Sequence, residues 1–156
     1  MRVQGLFVYP VKACRALALE DAAVGPLGLE HDRRFAFVAD DGLALTQRDQ
    51  PLLATVVPSL HRHELRLDFG GLIQLAIPLH SFSRGMDVDV WGKQVPARSA
   101  PETLVADAAD YLGTSVRLVP DAGNNTRLLT DSVSWITQRA TRRANFQTLI
   151  PCRPGA

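Results

Sequence analysis

Cysteine is scarce: two residues in 156, Cys14 and Cys152, are too few for a disulfide framework, so a packed core must hold the fold. An excess of charge of one sign is missing as well. Seventeen lysines and arginines face sixteen aspartates and glutamates, a formal net charge of +1. That balance supplies no whole-molecule field to attract nucleic acid or an anionic bilayer. Long apolar runs are absent too, because Arg, Asp, Gln or Pro interrupts every hydrophobic stretch before the roughly 18 residues that span a membrane. The first residues lack the basic and apolar pattern of a secretory signal. These absences lead to the expectation of a soluble, cytoplasmic chain with no membrane or nucleic-acid partner. Several chemistries lose their usual signature as well: there is no Gly-rich phosphate loop, paired-Cys motif, His-Glu-x-x-His or nucleophile elbow.

What is present is 46% hydrophobic residues, enough for one domain to bury a core. The first 98 residues read as short strands broken by turn signals. Val3 to Tyr9 is stopped by Pro10, which has no amide hydrogen for a ladder. Arg15 to Val24 carries Leu17 and Leu19 at period two, and Arg34 to Ala39 meets Leu43 to Thr46 across Asp40-Asp41-Gly42. Leu65, Leu67 and Phe69 alternate with polar residues, and Gly70-Gly71 turns the chain into Leu72 to Ile77. Met86, Val88 and Val90 begin a third hairpin that returns through Gln94 to Ala97.

The period then changes. Ser99 and Glu102 have capping-box spacing, and Leu104, Ala108, Tyr111 and Leu112 share one face, predicting a helix over about 101–112 that Gly113 ends. Val116 to Val119 reads as a further strand, Pro120 to Thr126 as a loop, and Asp131 to Asn145 as a thin, Arg-rich helix. The last six residues, with two prolines and a glycine, should fray. The tail after Pro120 has five arginines against Asp121 and Asp131, the composition of a solvated end. Hairpin-spaced strands without helical crossovers predict a mainly β fold: an antiparallel β-barrel-like domain with one or two short α-helices.

Lys12 follows a proline-terminated strand and Arg33 and Arg34 begin another, which puts permanent positive charge at strand ends, where barrel ligands are met. Arg offers a planar fork and Lys a mobile point charge, so the set suits a small anionic ligand such as a phosphorylated molecule. The competing reading is ion pairing with Asp32 or Glu30. Alternation along a strand lets only one of the two arginines face a given pocket. Cys14 reads either as a thiolate activated by Lys12 and Arg15 or as an inert thiol among Val11, Ala13 and Ala16. His61 and His63 would point to one side of a strand, as a metal pair would, but no third ligand is near in sequence, so solvated histidines are the simpler account. His31 and His80 read as turn or surface residues.

Three blocks resemble a known family. They are Phe7-Val8-Tyr9-Pro10-Val11-Lys12-Ala13-Cys14-Arg15, then Gly28-Leu29-Glu30-His31-Asp32-Arg33-Arg34-Phe35, then Leu45-Thr46-Gln47-Arg48-Asp49-Gln50-Pro51. In this order they are similar to the MOSC N-terminal β-barrel, the first half of amidoxime-reducing-component-like molybdenum proteins, with looser likeness to about residue 131. The resemblance implies a molybdenum cofactor (molybdopterin) between this barrel and a C-terminal MOSC domain that supplies the cysteine ligand. It implies cofactor-binding roles for Lys12 and Arg33, and makes Cys14 and Arg34 beside them further cofactor-binding candidates. Ala13 stands where the family carries Ser. No block matching the cysteine-bearing segment follows, so the expected division is a barrel over 1–131 and a truncated MOSC remnant or flexible basic tail over 132–156. The implied function is a cofactor-binding domain associated with MOSC-type oxidoreductases but without the catalytic half. The alternatives are a non-catalytic interaction module, or half of a reductase of N-hydroxylated or S-oxidised compounds completed by a MOSC-domain or redox partner protein.

Overall fold

The computed structural model describes residues 3–25, 28–90 and 92–120. Phe35-Ala36-Phe37-Val38, strand β5 in chain order, shows how the sequence builds the core. All four residues are buried. Alternation sends Phe35 and Phe37 to one face and Ala36 and Val38 to the other. The phenylalanine face joins a large cluster with Val11, Cys14, Leu53, Leu65, Leu67, Phe69, Ile77 and Leu118. The small-residue face meets Val88, Ala97 and Val119 in a second cluster. A strand apolar on both faces is a strand sandwiched between layers.

Around it run β1 (Leu6–Val8), β2 (Leu17–Leu19), β3 (Val24–Gly25), β4 (Gly28–Leu29), β6 (Val56–Leu60), β7 (Glu64–Phe69), β8 (Ile73–Pro78), β9 (Arg84–Val90), β10 (Lys93–Ser99) and β11 (Arg117–Pro120). Helix α1 covers Glu102–Leu112. The strands form antiparallel ladders: β1–β2, β3–β4, β5–β11, β6–β7–β8 and β9–β10. The mainly β, antiparallel expectation holds, but among the described residues these ladders do not close into a continuous hydrogen-bonded barrel.

The β7–β8 and β9–β10 hairpins and the helix fall where turn chemistry and period put them. Leu43 to Thr46 departs from its predicted strand: a Val38–Ala44 bridge and one backbone bond tie it to β5, and a second bond ties it to Ala39 just after that strand. The turn before it is pressed against β9. Gly42 has φ +82°, and a Cβ there would come within 2.9 Å of the Asp87 carbonyl oxygen, so only glycine fits. The predicted capping box does not form. Ser99 is a buried β10 residue, Pro101 takes the cap position, and the Glu102 carboxylate accepts from Arg84 and Arg117, each at 2.8 Å. Strand β6 escaped the sequence reading because it contains Pro58. It lies at the edge of its ladder, where a missing donor is tolerated. His61 to His63 form the turn between β6 and β7 rather than a strand, and no cluster of three metal-ligating side chains exists among the described residues. No helix among them is long and apolar enough to cross a membrane. The loop, helix and frayed end predicted beyond Pro120, with Cys152, lie outside the described residues, as does Trp91.

Candidate functional site

Strand β1 ends at Val8, and Tyr9-Pro10-Val11 then runs alongside the start of β5. Val11 bridges Phe35 in parallel, the Lys12 amide donates to the Phe35 carbonyl at 2.8 Å, and the Phe35 amide donates to the Pro10 carbonyl at 3.0 Å. Burial of Val11 and Cys14 anchors the turn on both sides of Lys12. Lys12 itself is half-buried. Its pKa lies below the ordinary lysine value, first because burial strips water from the ammonium and second because Arg33 is near, with Asp49 opposing the shift. Among the described residues its ammonium has no ion-pair partner within 4 Å.

Arg33 reaches the same place from the turn before β5. Its amide donates to the Tyr9 carbonyl at 2.7 Å, and its guanidinium sits 5.4 Å from the centre of the Tyr9 ring. Asp32 braces both segments, accepting from the Tyr9 amide at 2.8 Å and pairing with the Arg33 guanidinium. The ion-pair reading is therefore realised for Arg33, whereas Lys12 has no ion pair within 4 Å among the described residues and is opposed only at longer range by the charge of Asp49. Arg34 is exposed and turned to His31, 3.4 Å away; both arginines precede β5 rather than beginning it, and they diverge at the left-handed backbone of Arg33, not by strand alternation.

The third block closes the site. Asp49 accepts from the Thr46 hydroxyl at 2.7 Å and from its amide at 3.1 Å, and these bonds hold the Asp49 carboxyl below its usual pKa. The Gln47 side-chain amide donates to the Ala13 carbonyl at 2.8 Å. Tyr9, Gln47 and Asp49 carry no assigned role in the sequence; only their place in the first and third blocks that carry the resemblance points near them. Among the described residues three non-glycines have left-handed backbone, Ala13 (φ 65°), His31 (φ 68°) and Arg33 (φ 51°), and all three belong to these converging turns. Such conformations persist where surrounding contacts over-determine them, and they concentrate at ligand sites.

Cys14 is not part of this surface. Its side chain is 1% exposed in the main core, and burial pushes its thiol up to about 12, the reverse of an activated thiolate. Two surface hollows of about 450 and 440 Å³ lie elsewhere, one over the β6–β7–β8 ladder and one between α1 and the start of β11.

A small antiparallel β domain that places a half-buried lysine beside an aspartate-paired arginine is the class of protein that fold and site define. The sequence matches the MOSC N-terminal beta barrel domain over residues 1–117, and the chain belongs to that family. It is 29% identical to the molybdenum cofactor sulfurase of Danio rerio over 73% of this chain and 15% of that protein. It is 29% identical to mitochondrial amidoxime-reducing component 1 of Xenopus laevis over 72% of this chain and 35% of the relative. With mitochondrial amidoxime reducing component 2 of Rattus norvegicus it is 28% identical over 97% of this chain and 46% of the relative. The chain thus spans less than half the length of these relatives. A solution structure from Bordetella bronchiseptica shares the fold, with TM-score 0.54 and 19% identity, over 72% of this chain and 95% of that one.

Proposed function

We propose that this domain holds the anionic end of a molybdenum cofactor, with Lys12 and Arg33 as the gripping cations. The observation that carries the reading is Lys12: a half-buried ammonium beside Arg33 with no close counter-ion. A phosphate would supply the missing negative charge, and the lysine point charge and arginine fork both suit its oxygens. The residues present therefore fit the phosphate-bearing end of a molybdopterin. When bound, such a cofactor supplies oxygen-atom transfer chemistry; these side chains bind and orient it.

Catalysis requires more than this. The described residues offer no accessible thiolate, since Cys14 is a core thiol, so a metal-ligating cysteine would come from a MOSC domain in the same protein or in a partner. Strand β11 ends at Pro120 opposite Phe35, whose carbonyl accepts from the Lys12 amide. The likeness to the rat relative over 97% of the chain supports reading residues 132–156 as sequence shared with that relative rather than as a flexible basic tail. Titration of the full chain with inorganic phosphate, followed by the amide signals of Lys12 and Arg33, tests the site. Saturable shifts that weaken at least ten-fold in Lys12→Ala and in Arg33→Ala are expected; unchanged binding in both variants refutes the assignment. A second reading, a non-catalytic interaction module, rests on Phe7, 54% exposed on the two-stranded β1–β2 ladder. Concentration-dependent sedimentation that Phe7→Ser abolishes, with no phosphate shifts, would favour it.

A further inference from the structure

Lys12 owes its position to the residue after it. Ala13 turns the chain with φ 65°, a region that an L-residue with a Cβ enters at a penalty, so isolated sequence preference would send the backbone elsewhere. Contacts on both flanks hold it there. Cys14, buried in the core, fixes the C-terminal side with its amide on the Val11 carbonyl at 3.2 Å, and the Arg15 amide donates to the Val56 carbonyl at 2.9 Å. The Ala13 carbonyl itself is taken by the side chain of Gln47, 34 residues away, at 2.8 Å.

The Gln47 side is a stiff platform. The Gln50 amide donates to the Thr46 carbonyl at 2.9 Å, the Thr46 and Asp49 side chains close the turn, and the Gln50 side chain is tied to the Leu112 carbonyl at the end of α1 at 2.6 Å. One side-chain amide therefore links this platform to the strained turn that aims the ammonium. We infer that Gln47 is a positioning residue for the anion site: its hydrogen bond to the Ala13 carbonyl selects the left-handed turn and so presents Lys12 next to Arg33. This rests on the anion-site reading above for its functional consequence, while its structural half stands alone.

The test uses the full chain and inorganic phosphate. Gln47→Met keeps the length of the side chain and removes the donor. It should weaken phosphate binding roughly five-fold, the loss of about one net hydrogen bond, and should move the Ala13 carbon shifts away from their positive-φ values without any anion present. Ala13→Gly removes the penalty for that backbone, so in its background Gln47→Met should weaken binding less than two-fold. Unchanged Ala13 shifts in Gln47→Met, or the same loss of binding in both backgrounds, overturns the inference. If the wild-type chain shows no phosphate response at Lys12 and Arg33, the anion-site reading fails, and the Ala13 shifts still decide whether Gln47 holds the turn.

Discussion

Replacing Lys12 with methionine removes a charge that the folded domain stabilises poorly and keeps a stem of similar length. The backbone contact to Phe35 is unaffected, since it uses the Lys12 amide. In the native fold the ammonium is stripped of water and close to Arg33, and the opposing Asp49 is fully exposed with its carboxylate already occupied by Thr46. Because the ammonium is only half-buried and partly screened by water, relief of the site should add less than about 1 kcal/mol of stability, which for a domain of this size raises Tm by up to roughly 3–5 °C. The same substitution deletes a charge-assisted hydrogen bond to a bound anion, about 1.5–3 kcal/mol, or a ten- to hundred-fold loss of phosphate affinity.

The pH dependence separates this from simple repacking. Because the folded pKa of Lys12 is lowered, the unfolded chain holds that proton more tightly, so the wild type gains stability as pH rises through the folded pKa towards 10.5. The Tm advantage of Lys12→Met should therefore be largest near neutral pH and fade as pH approaches 10.5. Phosphate affinity of the wild type should fall over the same interval as the ammonium deprotonates. Differential scanning calorimetry of both proteins across that range, with phosphate titrations alongside, is the assay. A lower Tm for the variant at neutral pH, with phosphate affinity intact, would refute the argument and make Lys12 a structural residue.

Two further outcomes probe the core beneath the site. Phe69 is fully buried, with the ring centroids of Phe37 and Tyr111 at 6.5 and 5.3 Å, so Phe69→Ala should cost about 3–5 kcal/mol in urea unfolding; a loss below 1 kcal/mol would mean the ring is not in the core. Cys14 should escape alkylation in the folded chain at pH 8, as mapped by mass spectrometry. Its folded pKa is raised from the ordinary 9.0 to about 12, so the stability it contributes is complete below pH 9 and declines from there towards pH 12; prompt labelling of Cys14 at pH 8 would contradict its burial.

Local pattern carried a definite part of this architecture. Leu65, Leu67 and Phe69 before Gly70-Gly71 specify the β7–β8 hairpin by period and turn chemistry alone, and the β9–β10 hairpin and the span of α1 follow in the same way. The three blocks around Lys12, Arg33 and Gln47 marked the family before any geometry was known. Other features depend on residues far apart in sequence. Nothing local pairs β11 with β5 across some eighty residues, or overrules Pro58 to make β6 a strand. Nor does anything local choose between an activated and a buried Cys14. The charges of Lys12 and Arg33 are written in the chain, but their nearness is not: it arises where the Asp32 carboxylate, the Gln47 amide and the Phe35 carbonyl meet three turns, two of them in left-handed backbone that local propensity disfavours. Periodicity and turn residues act over a few bonds and are legible in sequence, whereas desolvation and side-chain bridges exist only once the core has brought distant segments together.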